Sequence, residues 1–383
     1  MRRVYMDHSA TTPVHPEVAA VIFEYTLAHF GNASSVHSWG EKAKNALEDA
    51  RKQVSELIAA QSPDEVLFTS GGTESNNLAI KGAARARSEH RPHIITSAVE
   101  HHAVINTCQA LENEGFRVTA VGVDGDGRVN VPELKEAICE DTALISIMMA
   151  NNEVGTVQPL SEIVSIAEKY DVLVHTDSVQ AVGQMEVDVE QLGVDMLTIS
   201  GHKLYGPKGV GALYVREGTD LQPVQHGGNH ESNLRAGTEN IPGIVGLGKA
   251  CALASGELRF RIEHMTRLRD RLMEGLQGAV DGIQINGDLH NRLPNNVNIS
   301  LTGMRRKQEA LLTGLSDRGI AASGGTTCTS EINAASHVLE SMGISKELAQ
   351  GSVRLTLGRN TVREDVDYVV EVLPQVVKQV RSS

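Results

Sequence analysis

Short, nearly unbroken apolar runs alternate with longer stretches in which apolar residues recur every three or four positions. The runs at 65–69, 93–96, 116–121, 143–149, 173–177, 194–199 and 210–215 predict strands. Helical rhythm fills 16–29, 40–59, the stretch around Leu78-Ala79-Ile80, 132–139 and 163–170. Ala143-Leu144-Ile145-Ser146-Ile147-Met148-Met149 is apolar on both alternating sets, as a central strand covered on two faces requires. Regular strand–helix alternation through Val215 predicts a mainly parallel sheet with helices on both sides. Such a sheet binds its ligand beyond the carboxyl ends of its strands. A glycine-rich polar segment follows at 226–240, then helical sequence at 241–255 and a long amphipathic rhythm at 261–276. A domain boundary is expected near Glu257, giving a large domain over 15–256 and a smaller one from 1–14 with 257–383. In the second part, 292–299 and 353–359 read as strands and 308–318 as a helix.

Length and composition narrow the class. The chain has 383 residues, 40% hydrophobic and 22% charged, which suits a soluble globule with a sizeable core. A net charge of -13 argues against general binding to nucleic acid or membrane. Arg305-Arg306-Lys307 is the one compact basic run and reads as a solvated face. No apolar stretch approaches the roughly 18 residues of a membrane span, and no apolar region follows Arg2-Arg3 as a secretory signal would need. The cysteines, Cys108, Cys139, Cys251 and Cys328, form no Cys-x-x-Cys pair, so reduced thiols in a cytoplasmic setting are expected. Cys108, Cys139 and Cys251 lie in helix-like sequence and read as packing residues.

Three strand ends carry candidate chemistry. Ser200-Gly201-His202-Lys203 ends one buried run; burial favours a neutral amine, which condenses with aldehydes. Lys203 is then either a cofactor-attachment lysine, taking pyridoxal 5'-phosphate, or a strand cap. Asp177 ends the preceding run, with Gln180 three residues on. A buried carboxylate there could keep a pyridine nitrogen protonated, though a strand-end Asp is also a common turn former. Ser70-Gly71-Gly72-Thr73 joins a strand to a helix start, the recipe for a phosphate cup of backbone amides. His101 and His102 are adjacent, which is not a metal-binding spacing on a helix.

With these residues in place, the chain resembles the cysteine desulfurases of the NifS/IscS group, in the aminotransferase class V family of pyridoxal-phosphate enzymes. Further matches are Asp7-His8-Ser9-Ala10-Thr11-Thr12, Gly31-Asn32-Ala33-Ser34-Ser35, Leu293-Pro294 with Asn298, and Thr326-Thr327-Cys328-Thr329-Ser330. The resemblance implies fold type I, with a mainly parallel seven-stranded sheet in the large domain and a smaller α/β domain carrying the Cys328 loop. It implies that Lys203 attaches the cofactor, Asp177 serves the ring nitrogen, and His101 stacks on the ring and handles protons. Gly72, Thr73, Asn152, Gln180, Ser200 and His202 complete the cofactor set, and Thr238 reaches the phosphate held by a second subunit of a homodimer. Asn152 and Arg354 take the carboxylate of L-cysteine. His102 is expected to be exposed, and His8 has no assigned role.

Cys328 stands among Gly, Thr and Ser with no helical or strand period, a setting more typical of a chemical thiol than of a packed one. The implied reaction is removal of sulfur from L-cysteine, giving L-alanine and a persulfide on Cys328. The persulfide passes to an acceptor protein for iron–sulfur cluster, tRNA or other sulfur modification. A selenocysteine lyase, another class V enzyme and a non-catalytic sulfur-carrier scaffold are the competing readings.

Overall fold

The computed structural model describes residues 2–324 and 335–382. Cys328, the expected persulfide carrier, lies outside the described residues. Twelve strands are present among those residues: β1 (Val4–Tyr5), β2 (Val66–Thr69), β3 (His93–Ser97), β4 (Arg117–Val121), β5 (Thr142–Ser146), β6 (Leu173–Asp177), β7 (Met196–Ser200), β8 (Gly211–Val215), β9 (Ile283–Asn286), β10 (Asn296–Leu301), β11 (Ile320–Ala321) and β12 (Ser352–Thr356). Seven form one sheet in the order β2-β8-β7-β6-β5-β3-β4. Only β8 runs against its neighbours, pairing antiparallel with both β2 and β7. The expected fold class therefore holds: a mainly parallel seven-stranded sheet between helices. Five of its strands are buried at every position, as two covered faces demand.

The apolar run at 143–149 outlasts its strand. β5 ends at Ser146, but the amides of Ile147 and Met149 still donate to the His175 and Asp177 carbonyls at 3.1 and 2.9 Å. The chain thus runs on beside β6 and carries Asn151 and Asn152 to the same edge as Asp177.

The two helical stretches expected at 241–255 and 261–276 are one helix, Ile241–Ala279, 39 residues long. No proline interrupts it after its first turn. The Arg261–Glu257 ion pair, one turn apart at 2.9 Å, spans the position where a boundary was expected. Its first half packs Ile244, Leu247, Cys251 and Ala254 into the core of the large sheet. Its second half packs Leu268, Leu272 and Leu276 into a separate core with β10, β12 and the Arg363–Ser382 helix. There β12-β10-β9 form an antiparallel sheet, and β1 pairs with β11 in parallel.

The outer edge of β2 would expose unpaired backbone groups. A buried ion pair closes it. Glu231 takes Arg51 in a two-pronged contact at 2.8 and 2.9 Å and also accepts from the Phe68 amide at 2.7 Å, while Arg51 donates to the Val66 carbonyl at 2.5 Å. The backbone at Glu231, Ser232 and Asn233 is left-handed, with φ of 41°, 56° and 64°, and this clamp holds it there. The clamp anchors the 226–240 segment at Glu231. Glu231→Ala strands a buried guanidinium, so urea unfolding should show a loss of about 3–5 kcal/mol. Replacing both partners with apolar residues should cost less than that single change.

Candidate active site

Six strands point the same way, and the carboxyl ends of five of them, β2, β3, β5, β6 and β7, surround a cavity of 380 Å³. Gly72, Thr73, His101, Asn152, Asp177, Gln180, Ser200, His202, Lys203 and Arg354 all line it. Of the remaining expected site residues, Cys328 is outside the described residues and Thr238 is exposed, away from this wall.

Each wall residue is placed by its strand. Lys203 sits in a single 3-10 turn, Gly201–Lys203, directly after β7. Its Nζ donates to the Ala10 carbonyl at 2.8 Å and to the Ser9 carbonyl. Asp177 ends β6 and is 7% exposed. Its Oδ1 accepts from the Val179 amide at 3.1 Å and its Oδ2 from Asn76 Nδ2 at 2.7 Å. Asn76 is a site residue that sequence reasoning missed. It lies on the inner face of the Gly72–Arg87 helix and is 1% exposed. The available signal was an asparagine one helical turn from the glycines, among residues that face the sheet.

His101 caps the His102–Glu112 helix, its Nδ1 accepting from the Ala103 amide at 3.1 Å. The neutral ring therefore carries its proton on Nε2. Burial holds its pKa below the ordinary imidazole value, helped by Lys203, His102 and His337 and opposed by Asp177. His202 is pushed down to about 4, first by burial and then by Lys203 and Lys208. Its Nδ1 meets Thr11 Oγ1 at 3.1 Å. Gln180 Nε2 donates to the Ser9 carbonyl at 3.0 Å.

Two expectations about secondary residues need correction. His102 is not simply exposed: it is half-buried, lines the cavity, and its ring lies 5.0 Å from that of His337. Cys139 is not a core residue, because the helix ends at Ala137. Its thiol is half-buried and accepts from Arg117 Nη2 at 2.9 Å, whereas Cys108 and Cys251 are buried as expected, with pKa values pushed up to about 12. His8 is buried, edge-on to Tyr5 at 4.9 Å. Burial takes its pKa down to about 4.

The wall suits a pyridoxal-phosphate group. The Gly72–Arg87 helix begins with no side-chain cap, so its first amides face the cavity without one. Gly71 has φ of 148°, which a side chain would strain. A Cβ on Gly72 would come within 2.9 Å of Val179 Cγ2 and 3.5 Å of Ser200 Cβ, so the backbone approach needs glycine there. Across from this cup stand a buried carboxylate, an imidazole and a lysine, the donor set for a ring nitrogen, a ring face and an aldehyde.

The aminotransferase class-V family matches residues 4–369. A cysteine desulfurase IscS of Dictyoglomus turgidum is 48% identical over 381 residues, covering 100% of this chain and 96% of that protein. One from Methanosarcina thermophila is also 48% identical, over 100% of this chain and 93% of its own length. Among solved structures, a NifS-like protein superposes with a TM-score of 0.92 at 38% identity, covering 99% of this chain and 100% of the other. The structure of SspA in complex with cysteine has a TM-score of 0.81 at 36% identity, covering 94% and 100%. The chain belongs to the aminotransferase class-V family of pyridoxal-phosphate enzymes, in its cysteine desulfurase group.

Glu100 was also missed. It is fully buried just before His101 and accepts from Ser97 Oγ at 2.7 Å and from the Met148 amide at 2.9 and 3.1 Å. Burial pushes its pKa up to about 8. The folded state then keeps a proton that the unfolded chain gives up. The stability this contributes is fully present below the ordinary glutamate range and is lost as pH rises through about 8. Glu100→Gln removes the titration. In thermal scans the difference in Tm between variant and wild type should shift in the variant's favour from acid pH toward about 8. A difference independent of pH would contradict this.

Proposed function

We propose that the chain is a cysteine desulfurase that takes sulfur from L-cysteine, releases L-alanine, and passes the sulfur to an acceptor protein. The observation that carries this reading is the meeting of Lys203, Asp177, His101 and Arg354 in one cavity at the carboxyl edge of the sheet. The relatives named cysteine desulfurase and the solved relative holding cysteine support it.

When bound, pyridoxal phosphate supplies an electron sink for the pair left at the substrate's Cα. The amides of Gly72 and Thr73 hold the phosphate, with Ser200, His202 and Gln180 completing the surround. The Asp177 carboxylate, aimed by Asn76, keeps the proton on the ring nitrogen. Arg354 and Asn152 take the substrate carboxylate. Lys203 Nζ removes the Cα proton. The Cys328 thiolate forms an S–S bond to the substrate sulfur as the substrate's Cβ–S bond breaks. The electron pair stays on the carbon skeleton, which gains protons and leaves as L-alanine, with His101 Nε2 as the proton donor. Cys328 keeps the sulfur as a persulfide.

Borohydride treatment of the loaded enzyme should fix the cofactor on Lys203, read by peptide mass. Lys203→Ala should abolish turnover and leave the fold intact. An adduct on Lys208 would sink the assignment. Cys328→Ala should keep the cofactor yet form almost no alanine or persulfide. Normal alanine formation in that variant would point to a lyase that needs no enzyme thiol.

The same reading includes a division into domains, 15–256 against 1–14 with 257–383, supported by the two separate apolar cores. It also includes a homodimer working in a reducing, cytoplasmic compartment, with an iron–sulfur scaffold or thiolation factor as acceptor. No helix among the described residues is long and apolar enough to cross a membrane. Phe23, Leu27, Phe30, Val36 and Trp39 expose large apolar side chains within one short segment, more than a free surface usually carries together. We take a second copy to cover them, with its exposed Thr238 serving the phosphate cup of this one. Sedimentation should show a dimer, and Phe30→Asp with Trp39→Asp should give monomers that lose cofactor on dilution. A wild-type monomer at working concentrations would remove this part of the proposal.

A further inference from the structure

Arg354 is buried, with its side chain 1% exposed in the cavity wall. Its Nη1 donates to the Asn152 carbonyl at 2.9 Å, and its Nη2 donates to Asp7 Oδ1 at 3.1 Å. Its Nε is buried and has no hydrogen-bond partner among the described residues. Two of the guanidinium's five N–H donors are therefore held, one on each Nη, and Nε is unpaired among the described residues.

Asp7 is itself well fixed. Ser323 Oγ donates to the same Oδ1 at 2.8 Å. The backbone of Asp7 bridges to Thr356, and Thr356 Oγ1 accepts from the Ser9 amide at 2.9 Å. Thr356 lies on β12, two residues from Arg354, so the same strand carries the cation and anchors its counter-ion. Ser323 in turn pairs with the Arg354 backbone, the Arg354 amide donating to the Ser323 carbonyl at 2.7 Å.

We propose that Asp7 is a positioning residue for the substrate. By holding Nη2 on a rigid strand, it sets the plane of the Arg354 guanidinium and so orients its remaining N–H donors for the substrate carboxylate. The inference rests on the reading of Arg354 as the carboxylate-binding residue.

The physical reasons are two. A guanidinium recognises a carboxylate through a planar fork, and the gain is realised only when that plane is fixed beforehand. The Asn152 carbonyl is a single neutral acceptor, about which the group could pivot; a second, charged acceptor removes that freedom. A cation this buried also needs a counter-charge before the substrate arrives. Asp7 supplies it through a single contact on Nη2, so the other donors of the guanidinium can take the substrate without breaking it.

The test is steady-state kinetics with L-cysteine on the loaded enzyme, together with L-alanine binding read from the cofactor absorbance. Arg354→Ala should raise KM by well over tenfold. Asp7→Ala should raise KM about tenfold, weaken L-alanine in parallel, and leave kcat within about twofold. Asp7→Asn keeps an acceptor at Oδ1 but not the counter-charge, so it should restore only part of the affinity. Asp7→Glu keeps the charge but displaces it by one methylene, so KM should rise severalfold. Ser323→Ala should give a smaller rise in the same direction. If Arg354→Ala leaves KM unchanged, the reading of Arg354 fails. If that variant raises KM but Asp7→Ala leaves it unchanged or lowers it, the positioning role is overturned. Should Asp7→Ala not fold, Asp7→Glu and Ser323→Ala carry the test, and unchanged KM in both overturns it.

Discussion

The site depends on one polar strap, the backbone of residues 7–12 laid across the carboxyl edge of the sheet. The carbonyls of Ser9 and Ala10 receive Lys203 Nζ, and that of Ser9 also receives Gln180. Thr11 meets His202, and Thr12 both donates to the His202 carbonyl and accepts from the Tyr205 amide at 2.8 Å. Asp7 holds Arg354. The strap stays in place because its leading end is tied to the second core, through the β1–β11 pairing and the bridge from Asp7 to Thr356, while its far end bonds to His202 and Tyr205 beside the large sheet. The large sheet supplies most of the chemical groups, and the second core supplies the piece that orients them.

Burial then sorts the charges. His202 and His8 are pushed down to about 4 and Glu100 is pushed up to about 8, so each is driven toward its neutral form by loss of water. Lys203, Asp177 and Arg354 are instead held by direct polar contacts: two carbonyls, two N–H donors, and a carboxylate with a carbonyl. With His8 and His202 held neutral, the contacts of those three residues shape the local field. Such an arrangement suits chemistry in which protons move at defined atoms.

Much of this was legible from residues alone. Apolar runs without alternation marked a covered parallel sheet, because two buried faces leave no room for polar positions. Once the fold class was read, the functional residues had to gather after strands, and Lys203, Asp177, Gly72, His101 and Asn152 do so. Their roles came from the motif resemblance, since a strand-end Asp or Lys has ordinary explanations too.

What the tertiary structure decided were the contacts made across long sequence separations. Asn76 reaches Asp177 from 101 residues away, Glu231 seals β2 from 163, and Asp7 grips Arg354 from 347. None of these has a local period, because a hydrogen bond between distant segments leaves no spacing to read. The 39-residue helix was likewise split in two by its rhythm, since its apolar face turns from one core to the other partway along. The sequence by itself determined the sheet, its ligand-binding edge and the residue types placed there. Only the packing of one core against the other decided which atoms hold them, because that depends on where separate elements come to rest.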